Sequence, residues 1–111
     1  MCGKNNTQND YITFHLADKS DVWFHAKNRP GSHVVMLCNG NEPSESDYTE
    51  AAMIAAYHSK SNGEAMIEVD YTKVKNVKKP SGAKPGFVIY HTNYSTFVRI
   101  DHKFIDSLSS I

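Results

Sequence analysis

Tyr11-Ile12-Thr13-Phe14-His15-Leu16-Ala17-Asp18-Lys19-Ser20-Asp21-Val22-Trp23-Phe24-His25-Ala26-Lys27 is the stretch whose reading sets the fold of this chain. Ile12, Phe14 and Leu16 alternate with Tyr11, Thr13, His15 and Ala17. A period of two predicts a strand with the three larger apolar residues on its buried face. Asp18-Lys19-Ser20-Asp21 supplies turn chemistry and Val22 to Lys27 reads as a second strand, so the two runs make a hairpin. Successive side chains of a strand point to opposite faces, so at most one of Trp23 and Phe24 enters the core of a one-sided sheet. The other is free to stack on a base or is covered by a helix.

Before this stretch, residues 1–10 are rich in Asn, Gln and Gly, have no hydrophobic period and read as a polar leading segment. After it, Pro30-Gly31 breaks the strand, and His33 to Cys38 is a nearly continuous apolar run suited to a strand buried on both faces. Asn39 to Ser46 is a loop by composition. Asp47 is a plausible N-cap, with Glu50 three residues on to complete a capping box. Ala51 to Ala56 are mostly strong helix formers and Asn62-Gly63 is a stop signal, which gives one helix of about three turns. Ala51, Ile54, Ala55 and His58 fall on one face of it.

Met66 to Tyr71 reads as a strand, followed by a lysine-bearing segment and a seven-residue loop, Pro80-Ser81-Gly82-Ala83-Lys84-Pro85-Gly86. Phe87 to Tyr90 and Thr96 to Ile100 read as closing strands paired across Thr92 to Ser95. The expectation is an α+β domain, a largely antiparallel sheet of about six strands with one main helix packed on it. It spans residues 1–111 as one unit, with 102–111 as a C-terminal tail.

With 111 residues the chain is long enough to bury roughly two thirds of the surface that its unfolded form exposes, so no staple is required. Cys2 and Cys38 lack the spacing of a zinc site and suit free thiols in a cytoplasmic protein. No apolar run approaches the length of a membrane span, so no membrane partner is expected. Net charge is zero, which argues against a uniformly basic nucleic-acid binder, but the charges are segregated. Lys73, Lys75, Lys78, Lys79 and Lys84 occur with no acid among them, whereas Glu42, Glu45, Asp47 and Glu50 occur with no base.

Six histidines raise the question of a metal, yet no HxH pair or carboxylate completes a ligand set. Ser32 beside His33 is only a sequence neighbour, and a catalytic triad is defined by geometry. Gly82 to Gly86 does not satisfy the GxxxxGK pattern of a phosphate-binding loop. No catalytic residue, metal or cofactor is therefore expected, and the chain reads as a non-enzyme. The lysine segment suits a nucleic-acid backbone, or equally a solvated edge that deters sheet-to-sheet pairing. If all five lysines met phosphates, the salt slope on single-stranded RNA would be about −3.5. Trp23, His25, Lys27, Arg29 and His33 carry the same choice, between the stacking-and-phosphate arrangement of RNA-binding sheets and a well-packed corner.

Several motifs in series now point to a family. Gly3-Lys4-Asn5-Asn6 with Gln8-Asn9-Asp10, Asp21-Val22-Trp23-Phe24-His25-Ala26-Lys27, and Pro30-Gly31-Ser32-His33-Val34-Val35 resemble the opening motifs of the NFACT-R domain. Ala51 to Lys60, Val69-Asp70-Tyr71-Thr72, Val77-Lys78-Lys79-Pro80 and Gly82-Ala83-Lys84-Pro85-Gly86 resemble its later motifs in the same order. The family's usual Lys-Asp before Pro-Gly is replaced by Lys27-Asn28-Arg29, which removes a carboxylate. The resemblance implies the RNA-binding module of larger proteins called fibronectin-binding protein A, ribosome quality control protein or nuclear export mediator factor. Such proteins bind obstructed large ribosomal subunits carrying peptidyl-tRNA, and bacterial ones help add a C-terminal alanine tail. The implied partners are large-subunit rRNA and/or tRNA, and the remaining domains of a parent protein from which this chain reads as excised. RNA-contacting residues would then be Trp23, His25, Lys27, Arg29 and His33 on one segment and Lys73, Lys75, Lys78, Lys79 and Lys84 on another, the two meeting at one edge. The alternative is a protein-interaction module docked on the parent protein or another partner.

Overall fold

The computed structural model describes residues 2–27, 31–38, 41–59 and 66–99. In chain order these form α1 (Asn6–Tyr11), a π-helical turn (Ile12–Leu16), β1 (Val22–Ala26), β2 (Val34–Met36) and α2 (Glu45–Tyr57). Then follow β3 (Met66–Lys73), a 3₁₀ turn (Val74–Asn76), β4 (Val77–Lys78), β5 (Ile89–Tyr90) and β6 (Tyr94–Arg99). The strands make a four-stranded antiparallel sheet in the order β2-β1-β3-β6 and a separate two-stranded ribbon of β4 and β5.

The α+β class is as expected from the sequence, but the main sheet has four strands rather than about six. The largest departure is at the start. Asn5 caps α1 by accepting from the Gln8 amide at 2.8 Å, and the helix runs on into a wide turn closed by the Ala17 amide on the Ile12 carbonyl at 3.0 Å. Alternation over Tyr11 to Ala17 therefore reports a helical segment, with Ile12 and Thr13 buried and Leu16 left half exposed. A seven-residue alternation is too short to separate the two periods when a widened turn shifts the buried stripe. The partner of β1 in the hairpin is accordingly β2, not the segment before it.

Helix α2 starts earlier than the sequence suggested. Ser44 is the N-cap: its hydroxyl accepts from the Asp47 amide at 3.2 Å, while the Asp47 carboxylate accepts from the Ser44 amide at 3.0 Å. Asp47 is thus the third helical residue of the capping box, and with Glu45 it places negative charge at the positive end of the helix dipole. The helix ends at Tyr57, and the expected stop at Asn62-Gly63 lies outside the described residues. Its buried stripe is Ala51, Ala52, Ala55 and Ala56, with Ile54 half-buried and His58 exposed. These short side chains let the helix axis approach the sheet, where it packs on Val22, Phe24, Ala26, Val34, Ile67, Val69 and Val98.

The opposite face of the same sheet carries a second core of Ile12, Trp23, Val35, Val74 and Val77, closed by Phe14, Ala17, Val88 and Tyr90. Odd and even positions of β1 thus serve different cores, Trp23 below the sheet and Phe24 above it. The β4–β5 ribbon forms because residues 80–87 turn back twice. The Ala83 amide bonds the Pro80 carbonyl and the Phe87 amide the Lys84 carbonyl, both at 3.1 Å. Each turn has glycine at its third position, Gly82 at φ 76° and Gly86 at φ 85°, a conformation that side chains resist. The expected pairing of Phe87–Tyr90 with Thr96–Ile100 is replaced: β5 pairs with β4, and β6 takes the free edge of the longer β3. Residues 100–111, including the expected tail, lie outside the described residues.

Candidate nucleic-acid interface

Trp23 lies at the centre of the second core with 0% exposure. Its indole stacks on His25 at 5.7 Å and touches His33 and Tyr90 at ring-centre distances of 5.3 and 4.8 Å. The indole Nε1 is buried without a hydrogen-bond partner among the described residues. His33 is 1% exposed: its Nδ1 lies 2.9 Å from the Thr13 hydroxyl and its amide donates to the Asn9 side chain at 3.1 Å. Trp23 and His33 are therefore core groups, not RNA-contacting ones, because no face of either ring reaches solvent. The two sequence segments do pack together, but through a core contact in which Val74 and Val77 of the second lie on Trp23 of the first.

Burial is also the main force on the two imidazoles. It lowers the pKa of His25, and it lowers that of His33 to about 4, with His25 adding repulsion and the Gly86 carbonyl and Asp10 opposing. A ring that stays neutral in the fold but protonates near pH 6.5 in the unfolded chain makes the unfolded state the stronger proton binder between those values. Stability contributed by His33 is therefore present above about pH 6.5 and is lost as pH falls towards 4, by roughly 3 kcal/mol in total. Urea unfolding measured at steps of pH from 7 to 4 should show this decline. His33→Asn should flatten it, and an unchanged decline in that variant would remove His33 as its source.

Two of the expected basic contacts are internally engaged. Lys27 lies 3.7 Å from Glu68 and 3.8 Å from Asp70. Asp70, itself 3% exposed, also accepts from the Tyr90 and Ser95 hydroxyls. The Tyr90 phenol is held well above its ordinary pKa, chiefly by burial and then by Asp70. Lys79 pairs with Asp10 at 3.0 Å and donates to the Lys84 and Phe87 carbonyls at 2.8 and 3.2 Å. The same Asp10 carboxylate accepts from the Gly86 amide at 3.0 Å. Lys79 is thus a clamp that ties the ribbon loop to α1. A phosphate would have to compete with three existing partners for its ammonium group. Arg29 lies outside the described residues, and His25 is half-buried against Trp23.

Four lysines of the basic segment remain open: Lys73, Lys75, Lys78 and Lys84 are exposed. Lys84 borders a shallow depression beside Asn5, Asn6 and Gln8. Lys73 and Lys75 stand at the rim of a cleft of about 260 Å³ lined also by Tyr48, Tyr71, Asn76, Thr92 and Tyr94. The antiparallel register builds this cleft, since it sets Phe24, Tyr71 and Tyr94 directly opposite one another across β1, β3 and β6. Their rings are parallel to within 23° and 29° at centre distances of 5.5 and 5.7 Å. Tyr48, from the first turn of α2, leans on Tyr71 at 5.4 Å and directs its hydroxyl to Glu42 at 3.4 Å. Burial, then Glu42, raises the Tyr48 pKa.

The far wall of the cleft is held rigidly. Thr92 has a positive φ of 53°, which a β-branched residue adopts only under constraint. The Thr72 hydroxyl supplies that constraint, lying 3.2 Å from the Thr92 carbonyl and 3.3 Å from that of His91, while accepting from Asn76 at 3.0 Å. Sequence reasoning found the two lysines and missed the tyrosines. Tyr71 was legible as a strand residue two positions before Lys73, but its alignment with Tyr94 depends on a pairing 23 residues away in the chain. Among the described residues no group of three His, Cys, Asp or Glu side chains could hold a metal ion, and no helix is long and apolar enough to cross a membrane.

Residues 1–92 match the family model of the NFACT protein RNA binding domain. The Rqc2 homolog RqcH of Bacillus subtilis is 50% identical over 101 residues, 91% of this chain and 17% of that protein. The Rqc2 homolog RqcH of Streptococcus pneumoniae is 46% identical over 107 residues, 96% of this chain and 19% of that protein. The chain therefore spans under one fifth of the length of these relatives. The solved C-terminal part of the fibronectin/fibrinogen-binding protein from Streptococcus suis superposes with a TM-score of 0.90 at 44% identity, over 96% of this chain and 43% of that one.

Proposed function

The chain belongs to the NFACT-R family of RNA-binding domains, and from that premise we propose that it is the RNA-contacting module of a ribosome quality control protein. In this reading it acts in the cytoplasm as a binding module without catalysis, touching rRNA and/or tRNA on obstructed large ribosomal subunits. The observation that supports it best is the cleft where Lys73 and Lys75 flank the exposed ring of Tyr94. Lysines supply the phosphate attraction that dominates RNA affinity, and an open aromatic ring supplies stacking. Lys78 in β4 and Lys84 in the ribbon loop add two further exposed basic groups.

Co-sedimentation of the 111-residue chain with large subunits carrying peptidyl-tRNA, with vacant subunits, and with subunits pretreated with nuclease tests this role. Retention on the obstructed particles, weakened by raising salt and by nuclease, is expected. Association with a parent protein or another partner that is insensitive to both treatments, with no retention on subunits, would favour the protein-interaction reading and contradict this one.

A further inference from the structure

We propose that the cleft between Tyr48, Tyr71 and Tyr94 is a pocket for one unpaired RNA base, stacked on Tyr94, with the flanking phosphates on Lys73 and Lys75. The inference rests on the RNA-binding reading above and assigns the part of the RNA that this cleft takes.

The row of rings runs from the interior to the surface. Phe24 is 0% exposed, Tyr71 is half-buried and Tyr94 is 67% exposed, and the planes of neighbouring rings differ by 23° and 29°. The inner rings therefore fix the plane of the outer one, so little side-chain freedom is lost when a planar ligand stacks on it. At about 260 Å³ the cleft is smaller than the roughly 300–1,000 Å³ of drug-sized pockets, which suits a single planar group. A base inside a duplex cannot offer its face, because both sides are occupied by its neighbours. The pocket thus selects loops, bulges and single strands.

Lys73 ends β3 and Lys75 lies in the following 3₁₀ turn, and both line the cleft with the rings, where the backbone on either side of a stacked nucleotide would pass. Asn76 donates to Thr72, and the carbonyls of His91 and Thr92 face the Thr72 hydroxyl. Stacking is tolerant of sequence because every base has a π-face, so the pocket accepts any of the four bases.

Fluorescence anisotropy of the 111-residue chain with a labelled eight-nucleotide single strand, the same strand abasic at every position, and a blunt RNA duplex tests the assignment. Tyr94→Ala should weaken binding to the intact strand roughly 5- to 150-fold, the range expected for losing one stacked base. Tyr94→Phe should keep wild-type affinity. On the abasic strand, Tyr94→Ala and wild type should bind alike, and duplex affinity should not respond to either substitution. Thermal melting of both variants checks that the exposed ring is not needed for the fold. If Tyr94→Ala leaves single-strand affinity unchanged while Lys73→Glu lowers it, the pocket assignment falls and the RNA-binding reading stands. If the wild type binds none of the three RNAs, both fall.

Discussion

Trp23→Ala should leave the domain barely folded. The indole is entirely enclosed, and truncating a buried Trp costs about 3–5 kcal/mol, a large part of the roughly 5–15 kcal/mol that holds a domain of this size together. Ile12, Val35, Val74 and Val77 come from four separate elements and meet on this ring, so its loss leaves a hole that no single side chain can fill. The thermal midpoint should fall by more than about 10 °C, read by near-ultraviolet circular dichroism. Trp23→Phe should cost less than about 1.5 kcal/mol. It keeps an aromatic ring in place and removes the buried Nε1 group that has no partner among the described residues. RNA affinity of the Phe variant should equal that of the wild type. A Trp23→Ala protein that melts normally but no longer binds RNA would show the indole at the surface and contradict this packing.

That ring also shows where sequence reasoning succeeds and where it stops. The alternation in Val22 to Lys27 gave the strand and the opposed directions of Trp23 and Phe24 correctly, because strand geometry leaves no other choice. Which of the two faces would be covered was not legible. Both are, one by α2 and the other by the π-helical turn together with the β4–β5 ribbon, and both α2 and the ribbon lie far along the chain from β1. The segment Ile12 to Leu16 misled for a local reason, since its short alternation of apolar residues falls on a helical turn that buries the adjacent Ile12 and Thr13 and leaves Leu16 half exposed. Lys79 misled for a long-range one: nothing near it in sequence announces Asp10 as its partner. The basic segment was visible as composition, but the pairing of Lys79 with Asp10 and the ribbon-loop carbonyls, which sets it apart from the other four lysines, belongs to the tertiary structure. The tyrosine row was invisible for the same reason, being written in the register of three strands.

Replacing Lys73 and Lys75 together with glutamate should remove a large share of RNA affinity without unfolding the protein. Both are exposed, neither is a core residue, and neither is a member of the Asp10–Lys79 clamp. Each phosphate contact to a single strand adds about 0.7 to the slope of log affinity against log salt, so two contacts account for about 1.4 of slope and about 25-fold of affinity at 0.1 M salt. The new carboxylates add repulsion to that loss. With Lys79 paired to Asp10, the other four lysines of the segment contribute at most about −2.8 to the slope, against the −3.5 expected if all five met phosphates.

The salt titration of these two proteins is the most direct test of an RNA-binding face at this cleft. Affinity of the wild type and of the Lys73→Glu, Lys75→Glu protein for one single-stranded RNA, measured from 50 to 200 mM salt, should give lines that differ in slope by about 1.4, the variant being the weaker and the flatter. Parallel lines of equal affinity from two equally stable proteins would contradict the account, because the RNA would then be held by some other part of the chain.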